Sequence, residues 1–136
     1  GPHVIAALEQ LAPVHAIRGN VDRPAHLRAS KRRRPDLDPD WARELPERLT
    51  VRLGGIRLHL VHARRDLSLD PRAEGIDAVI HGHSHSPAVE WDDGVLFLNP
   101  GSAGPRRFSL PISLARLDVP DVEVPKKRLD ATLVSL

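Results

Sequence analysis

The sequence contains no cysteine and no methionine, and aromatic residues make up only 3% of its 136 residues. The absence of cysteine excludes disulfide bonds and thiolate metal sites. The scarcity of aromatic side chains predicts a core of Leu, Val, Ile and Ala, drawn from the 40% of residues that are hydrophobic. No apolar run approaches the ~20 residues that span a bilayer, and no secretory leader is recognisable. We therefore expect one cytoplasmic, soluble domain over residues 1–136, with no membrane contact.

The chain is highly charged but almost neutral overall. Its 20 basic residues are balanced by 18 acidic ones, which leaves a net charge of +2. This balance does not indicate a nucleic-acid-binding protein. A basic run at residues 31–34 lies in a segment rich in Pro, Arg and Asp over residues 23–45, which we interpret as a solvated, mobile insertion. The alternative is a basic patch that recruits a phosphorylated substrate or nucleic acid, although the adjacent acidic residues cancel most of its field.

The hydrophobic pattern predicts one helix and at least six strands. Apolar residues on one helical face predict a helix over residues 3–11, which Pro13 ends. Two alternating segments joined by Gly54 and Gly55 predict a β-hairpin, because a two-residue turn needs positive φ angles. A second turn is predicted at residues 92–94. The predicted strands cover residues 14–17, 49–53, 56–60, 76–80, 95–98, 111–119 and 122–129.

Histidines follow two of these predicted strands. Residues 79–85 read Val-Ile-His-Gly-His-Ser-His, and in an extended segment His83 and His85 would project to one face and serve one metal centre or two adjacent ones. The spacing alone is weak, because eight histidines give about half a His-x-His pair by chance. His62 follows the second hairpin strand on its core-facing side. His59 points to the opposite side and is expected to be exposed.

Four short motifs follow the apolar runs in a fixed order. They are Gly19 to Asp22, His62-Ala63, Gly82 to His85 and Asn99 to Ser102, the last with Pro105-Arg106 shortly after it. Together they resemble the signatures of the calcineurin-like metallophosphoesterases, and most of all the small YfcE-type phosphodiesterase branch. The resemblance runs over residues 4–117. It implies an α/β fold, a four-layer α-β-β-α sandwich.

Two motifs of that family are missing. Asp-x-His and Gly-Asp normally precede the Gly-Asn motif, and neither occurs in this chain, which begins Gly1-Pro2. We therefore expect an N-terminally truncated domain that lacks its first β-α-β portion. The loss of a leading strand would leave a bare sheet edge, which makes a homo-oligomer one of the expected states.

The resemblance implies a centre with two divalent ions. It assigns Asn20, His62 and His83 to the second ion and His85 to the first, while the missing motifs would supply the bridging carboxylate. Mn²⁺ is the expected ion, with Ni²⁺, Fe²⁺, Zn²⁺ or Mg²⁺ as alternatives, and this chain alone is expected to hold at most one ion weakly. Asn20 as a turn residue and His62 as a core histidine are the structural alternatives.

Further roles are implied with less support from the residues. Asp22 falls where relatives carry an acid that assists catalysis, and a plain turn or cap residue is its alternative. Arg106 is a candidate contact for the substrate phosphate. Val21 stands where many phosphoesterases have a catalytic histidine, a departure that the YfcE-type branch accommodates. His15 and His81 are expected to be structural, and Asn99 to Ser102 to shape a loop beside the site.

The implied function is a metal-dependent phosphodiesterase. A metal-bridging hydroxide would attack a small phosphodiester substrate, with weak or no activity in this chain by itself. The alternative is a non-catalytic scaffold of the same fold that binds proteins, similar to the retromer subunit. Val21 and the missing motifs favour the scaffold, whereas the ordered retention of the other ligand types favours the enzyme.

Overall fold

The computed structural model describes residues 1–22, 42–120 and 129–136. These residues form one α-helix, a single-turn 3₁₀ helix and seven strands. They divide into two compact units, residues 1–49 and residues 50–136. Most of the predicted insertion at 23–45 and nearly all of the predicted strand at 122–129 lie outside the described residues. None of the helices in the described ranges is long and apolar enough to cross a bilayer.

The first unit contains the predicted helix, α1 (Pro2–Glu9), which begins at a proline. Proline suits this position because its missing N–H would have no partner in the first turn of a helix. The predicted strand at residues 14–17 is wrong. Within the described part of the chain these residues pair with no neighbouring strand, and a strand needs such a ladder of hydrogen bonds. The next residue, Arg18, is held by hydrogen bonds instead: its backbone N–H donates to the Pro46 carbonyl oxygen at 2.9 Å, and its guanidinium donates to the Arg43 carbonyl oxygen and to Glu47.

A five-stranded sheet forms the centre of the second unit. Its spatial order is β1-β2-β3-β5-β4, and β1 starts at the end of the first unit. The β2, β3 and β5 strands run parallel, and β4 pairs antiparallel with β5. The strands are β1 (Arg48–Leu53), β2 (Ile56–Val61), β3 (Ala78–Ile80), β4 (Ala88–Asp92) and β5 (Val95–Asn99).

The turns of this sheet follow the predictions. Gly54 and Gly55 have φ angles of 52° and 85° between β1 and β2, which confirms the predicted hairpin. Asp93 and Gly94 turn the chain from β4 into β5.

The β4 strand itself was not predicted. It lies at the edge of the sheet with four of its five residues exposed, so it carries little hydrophobic pattern.

A second sheet packs on one face of the first. It consists of β6 (Ser113–Asp118), which was predicted, and β7 (Asp130–Ser135), which was not. Apolar side chains of both sheets form one core between them. Its members include Leu58, Ala78, Leu96 and Leu98 from the large sheet and Ala115, Leu117 and Ala131 from the small one. The predicted mixed α/β class with two sheets is therefore confirmed.

The other face of the large sheet is covered as well. Val61, Val79 and Phe97 pack there with Ile76 in a second core. Because both faces are covered, the β2 strand is buried on both sides, as is typical of parallel strands. The prediction that His59 is exposed is therefore wrong: its side chain is buried, and its Nδ1 lies 2.8 Å from the Thr50 hydroxyl.

Candidate metal centre

His62 and His83 are brought together by the order of the sheet. The β2 and β3 strands are parallel neighbours, so their carboxyl ends lie at the same edge. His62 is the first residue after β2, and His83 follows β3 by three residues. The Gly82 N–H donates a hydrogen bond to the His62 carbonyl oxygen at 3.0 Å, which ties the two segments together next to the side chains.

The two imidazoles face each other edge to face. His62 Nε2 lies 3.1 Å from His83 Nδ1, and the ring planes are 86° apart. Two nitrogens each about 2.1 Å from one ion would be 3.1 Å apart at an angle of about 95° at that ion. Imidazole nitrogen is also a ligand type that suits Zn²⁺ and the other transition metals. In spacing and chemistry, the pair fits two ligands of a single ion.

The histidine loop is not extended, and here the prediction was wrong. The β3 strand ends at Ile80, and His83 and His85 have φ angles of 70° and 62°. Non-glycine residues rarely adopt this left-handed conformation, and such strain is concentrated at functional sites. His85 Nδ1 is buried and has no hydrogen-bond partner in the described structure. A buried ring nitrogen without a partner is chemically suited to bind a cation.

The pair does not extend to a complete ligand set. In residues 1–22, 42–120 and 129–136, no three His, Asp or Glu side chains are grouped so that they could hold a metal ion. The structure thus joins His62 to His83 and leaves His85 as a predicted ligand. Asn20 is exposed in the first unit, and its role as a ligand also stays a prediction.

The Gly-Asn motif forms a tight turn. The Gly19 N–H donates to Asp22 Oδ2 at 2.8 Å, and the Asp22 N–H donates to the Gly19 carbonyl oxygen at 3.1 Å. The Asp22 carboxylate therefore has the turn-forming role that was its alternative. Its assistance to catalysis remains a prediction.

Arg106 holds its own loop. Its Nε donates to the Leu110 carbonyl oxygen at 3.2 Å, and its side chain is exposed. The predicted contact with a substrate phosphate is neither required nor prevented by this bond.

Arg65 is a residue that sequence reasoning missed. Its Nη2 lies 3.1 Å from His83 Nε2, on the side of the ring opposite to His62. In the sequence Arg65 belongs to a polar connection of ordinary composition, so no pattern singles it out.

His81 is half-buried, and its Nδ1, like that of His85, is buried without a hydrogen-bond partner in the described structure, so its structural role stays a prediction. Burial lowers the pKa of its imidazole, and the positive charge of Arg64 lowers it further. The Arg64 guanidinium lies 4.1 Å from the centre of the Phe97 ring and pairs with Glu90, whose negative charge acts in the opposite direction on the pKa of His81.

A comparison with known families identifies the superfamily of this chain. The sequence model of the calcineurin-like phosphoesterase superfamily domain matches residues 1–121. The chain belongs to the calcineurin-like phosphoesterase superfamily. A probable metallophosphoesterase of Methanocaldococcus jannaschii is 29% identical over 98% of this chain, and one of Methanothermobacter thermautotrophicus is 26% identical over 98%. The chain spans 60% of the length of the first relative and 69% of the second.

The calcineurin-like fold is shared with solved structures. Vps29 from Entamoeba histolytica, crystallised with Zn²⁺, superposes with a TM-score of 0.62 at 21% identity, over 99% of this chain and 76% of the other. The resemblance inferred from the motifs and the calcineurin-like fold class are thus confirmed. The superfamily is metal-dependent, and the histidine pair lies in two of the motifs on which the resemblance was based.

Proposed function

We propose that this chain carries part of the active site of a metal-dependent phosphoesterase that hydrolyses a small phosphodiester. The observation that supports this most is the 3.1 Å approach of His62 Nε2 to His83 Nδ1 at the carboxyl ends of two parallel strands. Ligands and substrates of α/β sheets bind at such ends. The superfamily and the two probable metallophosphoesterases among its relatives agree with this chemistry.

The residues of this chain would hold and orient the reactants. Divalent ions, when bound, acidify a water molecule at neutral pH and neutralise charge on the phosphoryl oxygens. His62 and His83 would each offer a ring nitrogen, and His85 and Asn20 are proposed as further ligands. Mn²⁺ is the preferred ion of this proposal, and one ion is expected to bind weakly because the bridging carboxylate is not among these residues.

A second candidate function is that of a protein-binding scaffold. The described ranges contain no group of three His, Asp or Glu ligands, and Val21 stands exposed where a catalytic histidine would be. Vps29 proteins from several organisms share the fold. A scaffold would need the fold but not a complete set of metal ligands, and this candidate therefore agrees with the partial motif set.

Phosphodiester hydrolysis distinguishes the two functions. The test measures release of nitrophenol from bis(4-nitrophenyl) phosphate with added Mn²⁺, for this chain and for one extended upstream to include Asp-x-His and Gly-Asp motifs. Activity that appears in the extended chain and is lost in His62→Ala and His83→Ala supports the enzyme. The exposed His15 supplies the control, because His15→Ala removes a histidine outside the proposed centre. An extended chain that folds, binds Mn²⁺ and hydrolyses nothing would leave the scaffold as the better description.

A further inference from the structure

Arg65 occupies the free side of a proposed metal ligand. It lies in the 3₁₀ helix at Arg64–Asp66, directly after β2, and its Nη2 is 3.1 Å from His83 Nε2. Its side chain is 72% exposed, and its other charged neighbour is Asp66, at 3.9 Å. An exposed arginine side chain usually has many conformations, and the contact with His83 restricts this one. Arg65 belongs to none of the motifs on which the family resemblance was based.

The hydrogen-bond chemistry of this contact fixes the protons. A guanidinium group has donors only, so His83 Nε2 must accept and cannot carry a proton. The neutral His83 ring then carries its proton on Nδ1, where it donates to His62 Nε2 at 3.1 Å. In this hydrogen-bond network, Arg65 donates to His83 and His83 donates to His62.

A metal ion cannot bind to His83 without disrupting this hydrogen-bond network. An imidazole nitrogen that binds a metal must offer its lone pair, so an ion on His83 Nδ1 would move the proton to Nε2. Nε2 and the guanidinium would then be two donors facing each other. An ion on Nε2 would take the place of Arg65 itself. In both cases two positive charges would also lie close together.

We propose that Arg65 is a built-in competitor for His83, which occupies the ring in the metal-free protein and must leave it when a divalent ion binds. This inference rests on the proposed metal centre and adds a residue that sets its affinity. Arg65 lowers metal affinity at this site.

The direction of the effect makes the proposal testable with the metal alone. Titration calorimetry with Mn²⁺ and with Zn²⁺ compares the unmodified chain with Arg65→Ala. Loss of a solvent-exposed hydrogen bond and of one nearby charge is expected to tighten ion binding about three- to tenfold. Arg65→Lys keeps a charge and a donor and should remain closer to the unmodified chain.

The matched control is Arg72. Its side chain is 70% exposed, it pairs with Asp93 on another loop, and Arg72→Ala removes the same charge as Arg65→Ala. It should leave ion affinity unchanged, because Arg72 contacts neither histidine in the described structure. His83→Ala identifies the signal of the site, since it should abolish the binding that Arg65→Ala strengthens.

A second measurement reads the protons directly. Long-range ¹H–¹⁵N correlation spectra of the metal-free protein should show His83 protonated on Nδ1, and Arg65→Ala should increase the Nε2-protonated form. Equal ion affinities of the unmodified chain and Arg65→Ala would overturn the role of Arg65 alone. Absence of His83-dependent binding in every variant would overturn both this inference and the proposed metal centre.

Discussion

The Asn99 side-chain amide donates a hydrogen bond to the Ser84 hydroxyl at 2.9 Å, and this bond joins two of the family motifs. Asn99 ends β5 and is 2% exposed, and its Oδ1 accepts the Gly101 N–H at 3.0 Å. Ser84 lies between the two left-handed histidines. The buried amide thus supports the loop that carries the proposed metal ligands.

Asn99→Ala should destabilise the protein more than Ser84→Ala. The first change removes both hydrogen bonds and leaves a small cavity, which is expected to cost about 2–3 kcal/mol of unfolding free energy. The second removes the bonds that the exposed Ser84 hydroxyl accepts from the Asn99 amide and, at 3.3 Å, from the Ser86 N–H, and it should cost about 1 kcal/mol because water can take the place of the hydroxyl. Urea unfolding of both variants measures the difference. If the two losses were equal and small, Asn99 would not hold the loop in solution.

Gly101→Ala should be far more disruptive than Gly94→Ala. The two glycines have nearly the same φ, 83° and 82°, so both pay the left-handed penalty of about 1–2 kcal/mol. A Cβ on Gly101 would lie 1.9 Å from the Ser113 hydroxyl oxygen, whereas one on Gly94 meets nothing within 4 Å. Ser113 is buried and bonded to the Pro100 carbonyl oxygen, so it cannot move away freely.

The measurement is the midpoint of thermal unfolding of the two variants. Overlap at Gly101 should add at least about 1–3 kcal/mol to the loss seen at Gly94. Similar midpoints would show that the loop relaxes and that the close packing against Ser113 is not maintained.

Local patterns predicted most of the central sheet. The glycine turn and the alternating segments placed β1 and β2, and continuous apolar runs placed β3 and β5, because these signals depend on neighbouring residues. The pattern failed where pairing decides the outcome. Residues 14–17 have the composition of a strand but no partner strand in the described ranges. The β7 strand, which pairs with β6, lies at residues 130–135, where no strand was predicted, and nearly all of the predicted strand at 122–129 lies outside the described residues.

The candidate site was predictable only in its outline. Parallel neighbouring strands bring His62 and His83 to one edge, and the motif order indicated this. The left-handed backbone of His83 was not predictable, because histidine adopts this conformation more often than most residues but still only in a small minority of cases. The burial of His59 depends on the second core, which packs on the other face of the large sheet. The contact of Arg65 with His83 depends on the backbone path of the 3₁₀ helix. Neither has a periodic signal in the sequence.

The stability of the protein should fall as the pH is lowered through the range of His81. Burial and Arg64 place the pKa of the folded His81 below its ordinary value of 6.5. Below pH 6.5 the unfolded chain therefore takes up a proton that the folded chain resists, and unfolding is favoured. Above that pH both states are neutral, and the contribution is fully present.

Urea unfolding between about pH 5 and pH 8 tests this contribution of His81. The two limits lie about 1.5 pH units on either side of an ordinary histidine pKa. His81→Gln should flatten the pH dependence, because glutamine does not titrate. Arg64→Ala should flatten it partly, because the pKa of His81 then rises towards its ordinary value, while Arg72→Ala, which removes an equal charge elsewhere, should not. An unchanged profile in His81→Gln would contradict the assignment.

The apolar contact between the two sheets is expected to stabilise the second unit, and Leu96 tests this expectation. Leu96 is fully buried in β5, within the core that also contains Leu58 from β2 and Ala131 from β7. Leu96→Ala should cost about 2–5 kcal/mol of unfolding free energy, because the cavity lies between two sheets that cannot collapse locally. Leu114→Ala is the matched control: Leu114 lies in β6 and is 38% exposed, so the same change should cost at most about 1 kcal/mol. Denaturant unfolding measures both losses of unfolding free energy. Equal losses in Leu96→Ala and Leu114→Ala would mean that the small sheet does not stay packed on the large one in solution.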